Sequence, residues 1–126
     1  YVWKINFNET SKIPAFANSF PELNHNEMNG FVNSVKILED KMIILNLQDK
    51  DMFDKMNKRA KITSLLLLNY GIKTIDIEIS GVNILDKIFS STILSMWTSY
   101  YLALLYKTDP ISVKIAEDFK MKLKNN

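Results

Sequence analysis

KMIILNLQDKDMFDKMNKRAKITSLLLLNYGIKTIDIEI, residues 41–79, changes its hydrophobic period twice. Lys41 to Leu47 is a near-continuous apolar run, the pattern of a strand covered on both faces. From Asp51 to Leu68 the residues Met52, Phe53, Met56, Ala60, Ile62 and Leu66 follow helical spacing, and Gly71 stands where a C-cap glycine closes a helix. Thr74 to Ile79 alternates apolar and polar residues, which predicts a strand with one more exposed face, at a sheet edge. Strand, helix, strand in this order is the unit of an α/β fold with a parallel sheet and right-handed crossovers.

Downstream, Asn83 to Tyr106 reads as one long helix. Leu85, Ile88, Phe89, Thr92, Ile93, Met96, Trp97, Tyr100, Tyr101 and Leu104 make a wide apolar stripe on it. Asp109-Pro110 stops that helix and opens a last one over Ile111–Leu123, leaving Asn125 and Asn126 as a frayed tail. Upstream, a helix starts abruptly at Tyr1 with no N-cap residue ahead of it and continues to Asn18. A turn at Phe20-Pro21 and a short helix from His25 to Met28 follow. Two strands are too few for a parallel α/β layer, so a further strand is expected before Tyr1.

Composition narrows the chemistry. A chain of 126 residues holds one core. Its 47% hydrophobic and 24% charged residues are ordinary for a soluble globular protein, and the absence of cysteine fits the cytoplasmic location that is expected. A formal charge of +2 with scattered lysines gives no footprint for nucleic acid. Arg59 is the only arginine, so several arginines cannot grip a phosphate inside this chain. The absence of cysteine excludes disulfides, thiol catalysis and thiolate metal sites, and a single histidine, His25, cannot build a multi-histidine zinc site. No Gly-rich loop follows a strand, which excludes a dinucleotide fingerprint and a P-loop. The turn Ser80-Gly81 reads as an ordinary strand-to-helix turn, with anion binding by its backbone as the alternative. The uncharged interval between Lys87 and Lys107 reaches the length of a membrane span. It contains Ser90, Ser91, Thr92, Ser95, Thr98 and Ser99, so a buried core or interface helix is expected and no membrane.

The chemistry-bearing stretch is WKINFNETSKIPAFANSFPELNHNE, residues 3–27. On spacing alone the favoured reading is structural: Glu9 as a solvated helix residue, His25 as a cap or core histidine, and Asn24 and Asn26 as turn residues. Against that, the only histidine sits in the dense polar cluster Glu22-Leu23-Asn24-His25-Asn26-Glu27. The segment also spends aromatics and prolines on a non-repetitive backbone, and positioned loops are where function concentrates.

The run from Trp3 to Glu27 closely resembles the signature of archaeal and bacterial bifunctional phosphoglucose/phosphomannose isomerases. The match takes in Trp3, Lys4, Asn8, Glu9, Lys12, Pro14, Ala15, Phe16, Asn18 and the run from Phe20 to Glu27. Ser99-Tyr100-Tyr101-Leu102-Ala103-Leu104-Leu105, Asp109-Pro110 and Phe119-Lys120 resemble later elements of the family. The sequence departs from the pattern at Val2, at Ile5-Asn6-Phe7, at Thr10-Ser11 and at Ile111-Ser112-Val113, where the family often has a threonine.

The resemblance implies a C-terminal sugar-isomerase (SIS) domain with a flavodoxin-like layered fold and parallel sheet, here without its first strand. It implies that the N-terminal SIS domain, whose Ser/Thr-rich loops hold the phosphate, stands upstream. The activity implied is aldose–ketose isomerisation of glucose 6-phosphate and mannose 6-phosphate to fructose 6-phosphate, a step of glycolysis and gluconeogenesis, with no metal and no cofactor. Glu9 matches the base that moves a proton between C1 and C2. Phe7, Phe16 and Phe20 are expected to wall it and raise its proton affinity. His25 matches the ring-opening acid/base, delivered from the neighbouring subunit of a homodimer. Lys120 matches a lysine near the ring oxygen and O1, with a solvated lysine as its bland alternative. Ser112 and Asn24 are assigned to substrate contact. A non-catalytic sugar-phosphate-binding SIS domain is the competing reading. A small helical interaction domain is a third, favoured if the Asn83–Tyr106 stripe is exposed.

Overall fold

A computed structural model describes residues 1–38 and 41–124, with side chains described outside residues 33–38. The elements in chain order are α1 (Val2–Glu9), a short 3-10 turn (Glu22–Asn24), α2 (Glu27–Leu38), β1 (Ile43–Asp49), α3 (Asp54–Asn69), β2 (Lys73–Ile79), α4 (Ile84–Leu105) and α5 (Lys114–Lys124). The predicted tail at Asn125 and Asn126 lies outside the described residues. The chain divides into two compact units, Asn18–Ser90 and Tyr1–Ala17 with Ser91–Asn126.

In Asn18–Ser90, β1 and β2 pair in parallel with Ile43 opposite Lys73 and Asp49 opposite Ile79. The crossover between them is α3, as the period changes predict. Its end follows from Gly71 at φ 80°. Gly71 N–H donates to Leu68 carbonyl at 2.9 Å and Ile72 N–H to Leu67 carbonyl at 3.0 Å, so the left-handed glycine satisfies carbonyls that the helix leaves open. Leu67 and Ile72 flank this cap and are both buried. Burying each such side chain stabilises by about 1.5–3 kcal/mol. The start of α4 is fixed by a reciprocal cap. Asn83 Oδ1 accepts from Asp86 N–H at 3.0 Å, and Asp86 Oδ2 accepts from Val82 N–H at 2.8 Å.

The sheet departs from expectation in one respect. β1 was expected to be covered on both faces, yet along Ile43–Asp49 only Asn46 is buried. With two strands, each has one edge without a strand partner among the described residues. Asn46 is kept inside by polar partners: its Nδ2 donates to Asp76 Oδ1 at 3.1 Å and to Ser64 Oγ at 3.3 Å. Lys87 is also buried, and its ammonium donates to Asp49 at 2.7 Å and to Asp51.

In the other unit, α1 stops at Glu9 and does not run to Asn18. Lys12 adopts φ 58° and the following Ile13-Pro14 continues the chain without helix, since the residue before proline disfavours helical geometry. Pro110 does not open α5, which begins at Lys114. Lys107, at φ 54°, ends α4 in the way Gly71 ends α3: its N–H donates to Leu104 carbonyl and Thr108 N–H to Ala103 carbonyl.

α4 is not the buried core helix that was one of its two expected roles, the other being an interface helix. Its inward face is small and polar: Ser95, Ser99 and Ala103 are 0–1% exposed. Trp3 Nε1 donates to Ser91 Oγ at 3.0 Å, Asn6 Nδ2 to Ser95 Oγ at 2.6 Å, and Ser11 Oγ to Ser99 carbonyl at 2.9 Å. Residues 91, 95, 99 and 103 recur every four positions and so lie on one helical face, whose first two serines bond to Trp3 and Asn6 of α1. The large apolar residues point away. Trp97 is 55% and Tyr101 58% exposed, and their rings stack at 5.7 Å. Among the described residues α4 is the one helix long and apolar enough to cross a membrane, with mean hydropathy 1.3 in a stretch that is 17% buried.

Candidate functional site

Glu9 is the last residue of α1, and its position is set by its neighbours on both sides. Asn8 Oδ1 accepts from Ala15 N–H at 2.9 Å and Asn8 Nδ2 donates to Ala15 carbonyl at 3.2 Å, closing the loop that follows Glu9. Lys12 reaches back to the Glu9 carbonyl and lies 3.4 Å from the Pro110 carbonyl. One ammonium therefore ties the end of α1 to the Asp109-Pro110 segment. The Glu9 side chain is exposed, and among the described residues its carboxylate has no hydrogen-bond partner. The expected apolar wall is not formed within Tyr1–Ala17: Phe16 is 89% exposed. Its ring lies on the extended stretch after Pro14, where no helix turns it back toward Glu9.

Ser112 and Lys120 belong to the same unit as Glu9. Ser112 lies just past Pro110, where Ile111 N–H donates to Asp109 Oδ1 at 2.9 Å. Lys120 projects from α5. Both are exposed, and no ion pair or side-chain hydrogen bond among the described residues links either to Glu9.

His25 and Asn24 belong to Asn18–Ser90. The peptide bond between Phe20 and Pro21 is cis. Beyond it the backbone is wound by Asn24 N–H to Pro21 carbonyl at 3.1 Å and His25 N–H to Glu22 carbonyl at 2.9 Å. The polar cluster that stands out in the sequence bonds partly to itself and partly to its surroundings. Asn26 Nδ2 donates to Glu22 Oε1 at 2.7 Å and Asn18 Nδ2 to Glu27 Oε2 at 3.2 Å. The His25 ring is left exposed and without a partner among the described residues. The short helix expected from His25 to Met28 is not formed with those bounds: a 3-10 turn covers Glu22–Asn24, His25 follows it, and α2 begins at Glu27. Asn24 turns inward. Its Oδ1 accepts from Arg59 Nη1 at 3.2 Å, and its Nδ2 donates to Thr63 Oγ1 at 2.8 Å.

Two functional neighbours were not picked out by spacing. Lys12 was one matched residue among many, and its positive φ is invisible in composition. Arg59 carried a usable signal: a lone arginine on a predicted helix is worth asking what it holds.

The model of the bacterial phospho-glucose isomerase C-terminal SIS domain matches residues 1–123. The chain belongs to that family. This SIS domain is 34% identical over 124 residues to the bifunctional phosphoglucose/phosphomannose isomerase of Aquifex aeolicus, covering 98% of the chain and 38% of that protein. It is 37% identical over 121 residues to the enzyme of the same name from Caldicellulosiruptor bescii, covering 96% and 35%. The SIS domain thus spans little more than a third of the curated relatives it matches. Its fold is similar to that of a glucose-6-phosphate isomerase like protein from Thermus thermophilus. The TM-score is 0.59 at 17% identity, over 90% of this chain and 37% of that one.

Proposed function

We propose that this SIS domain serves an aldose–ketose isomerase acting on glucose 6-phosphate and mannose 6-phosphate. The observation that carries the reading is a contrast. Around Glu9 and His25 the polar side chains Asn8, Glu22, Asn24, Asn26 and Glu27 all have hydrogen-bond partners. The carboxylate and the imidazole remain exposed and unpartnered among the described residues. Both stand in segments that match enzymes named for this activity.

Glu9 removes the C2 proton of the open-chain aldose while O1 gains a proton, giving an enediol. The resulting carboxylic acid returns a proton to C1 as the O2 hydroxyl proton departs, giving the ketose. His25 moves protons between the ring oxygen and the anomeric hydroxyl during ring opening. Lys120 stands by the ring oxygen and O1, and Ser112 and Asn24 contact the sugar region. The phosphate is held outside this chain, by an N-terminal SIS domain, since the sequence has a single arginine and no Gly-rich loop. A homodimer supplies His25 to its neighbour's site, and protein, not lipid, covers the apolar face of α4. The hydroxyl-lined opposite face packed on α1 supports protein as the covering partner. The protein works in the cytoplasm. The exposed stripe on α4 meets the condition for a helical interaction module, but the match over residues 1–123 favours the isomerase domain.

The deciding experiment is solvent isotope exchange by the whole protein. Fructose 6-phosphate incubated in heavy water should acquire deuterium at C1 as the enediol forms and returns. Binding of the sugar phosphate with no exchange would replace the isomerase by a non-catalytic sugar-phosphate-binding domain.

A further inference from the structure

Asn24 immediately precedes His25 and is the residue of the Glu22–Glu27 segment whose side chain reaches α3. Its amide is almost fully used. Oδ1 accepts from Arg59, and Nδ2 donates to Thr63 Oγ1 and lies 2.8 Å from Met28 Sδ. Thr63 is buried, and its own hydroxyl proton goes to the Arg59 carbonyl at 2.9 Å, so its oxygen lone pair is aimed at Asn24. Arg59 and Thr63 are four residues apart on α3, hence on one face. An arginine has no acceptor atom and asparagine has one, so the amide has a single orientation that suits both partners.

We infer that Arg59 and Thr63 are positioning residues for His25, acting through Asn24, and that Asn24 serves orientation more than sugar contact. The inference rests on the ring-opening role proposed for His25. The imidazole has no fastening of its own among the described residues, so the placement of its exposed ring follows the backbone that carries it. That backbone is held on the C-terminal side by Asn29 of α2, whose Nδ2 donates to the His25 carbonyl at 3.4 Å, and on the N-terminal side by the Asn24 amide, its tie to α3. Lysine in place of Arg59 keeps the charge but not the planar fork. Valine in place of Thr63 keeps the shape but leaves Asn24 Nδ2 without its oxygen.

The test uses Thr63→Val, Thr63→Ser and Arg59→Lys with two readouts. The first is kinetic, in the whole isomerase. Turnover of glucose 6-phosphate, which must open its ring, is compared with turnover of 5-deoxyfructose 6-phosphate, which has no O5 to close one. Thr63→Val and Arg59→Lys should lower the first by about 10- to 100-fold, less than the roughly 100- to 10,000-fold that a positioned acid–base group itself contributes, and largely spare the second. Thr63→Ser, which keeps the oxygen, should restore it. Equal losses on both substrates would mean a general structural role and would overturn the inference. The second readout does not depend on activity. His25 is the only histidine, so the imidazole gives one isolated set of NMR signals. These should shift and broaden in Thr63→Val and Arg59→Lys and return in Thr63→Ser. Unchanged imidazole signals in a folded variant would also overturn it. A wild-type protein without isomerase activity, but with the imidazole response intact, would sink the ring-opening reading and leave the Arg59–Asn24–His25 linkage standing.

Discussion

Asn8 and Ala15 hold each other by two hydrogen bonds, one in each direction, across the loop that leaves α1. The side-chain amide imitates a neighbouring strand, and Glu9 is the first residue inside the loop it closes. Both bonds are exposed, so water replaces part of what is lost when they break. Asn8→Ala should therefore cost only about 1 kcal/mol in stability. In the whole isomerase it should lower kcat more than that small loss suggests, because the backbone of Glu9 loses its far anchor. Urea unfolding and steady-state kinetics on the same preparation check this. A stability loss with unchanged kcat would confine Asn8 to folding.

Glu9→Gln keeps size and hydrogen bonding but removes the proton acceptor. In the whole isomerase, activity on glucose 6-phosphate and on mannose 6-phosphate should fall together by about 100- to 10,000-fold. One base must serve both epimers. Survival of one activity would mean that two different groups take the proton.

Mixing Glu9→Gln subunits with His25→Ala subunits should regenerate activity. In a mixed dimer with exchanged histidines, one site carries both defects and the other neither. Activity is read against the subunit ratio with labelled chains that demonstrably exchange. No recovery would place His25 in its own subunit's site or in none.

The Lys87 cluster predicts a pH dependence. The hydrogen bond from Lys87 holds the Asp49 carboxyl below the usual carboxylate range, and the Asp51 backbone N–H adds to this. A depressed folded value means stability that is present above the unfolded carboxylate range of about 4 and lost as pH falls through the folded value. Lys87 is raised by its bonds to Asp49 and Asp51, so its share is present below about 10.4 and lost as pH rises through the folded value. Lys87→Met should be less stable than wild type from about pH 5 to 9, with the gap closing in acid below about 4. Urea unfolding at pH 7, 4 and 3 measures it. A gap that stays constant into acid would show that Lys87 acts by packing alone.

The two faces of α4 should answer differently to substitution. Ser95→Leu forces a large side chain between α4 and α1 and removes the Asn6 bond, and should cost about 1–3 kcal/mol. Trp97→Ser on the exposed face should leave the stability of the isolated chain within about 0.5 kcal/mol and reduce its self-association. Solution mass across a concentration series separates the two effects.

How much of this was legible depended on whether the cause lay within a few residues. The α3 crossover was readable because the apolar period changes at each end and Gly71 marks the stop. The end of α1 was misread because Lys12 adopts a positive φ that lysine seldom takes. The α4 stripe was readable as apolar but not as outward. Hydropathy marks which face wants cover, whereas the cover within this chain goes to the serine face, chosen by Trp3, Asn6 and Ser11. Glu9 and His25 stood out through motif resemblance. Their exposure, and the inward turn of Asn24, depend on partners as distant as Ala15 and Thr63.

The polar contact between Asn46 and Asp76 has a further consequence. These residues face each other in the strand pairing, and Ser64 from α3 bonds to both. Apolar side chains alone would let two short parallel strands slide, because isoleucine packs on isoleucine at more than one offset. A slip by one residue would strand the buried Asn46 amide without its acceptor, at a cost of about 1–3 kcal/mol. The sheet therefore carries its own alignment mark. A strand that joins either open edge meets two strands whose mutual phase is already fixed.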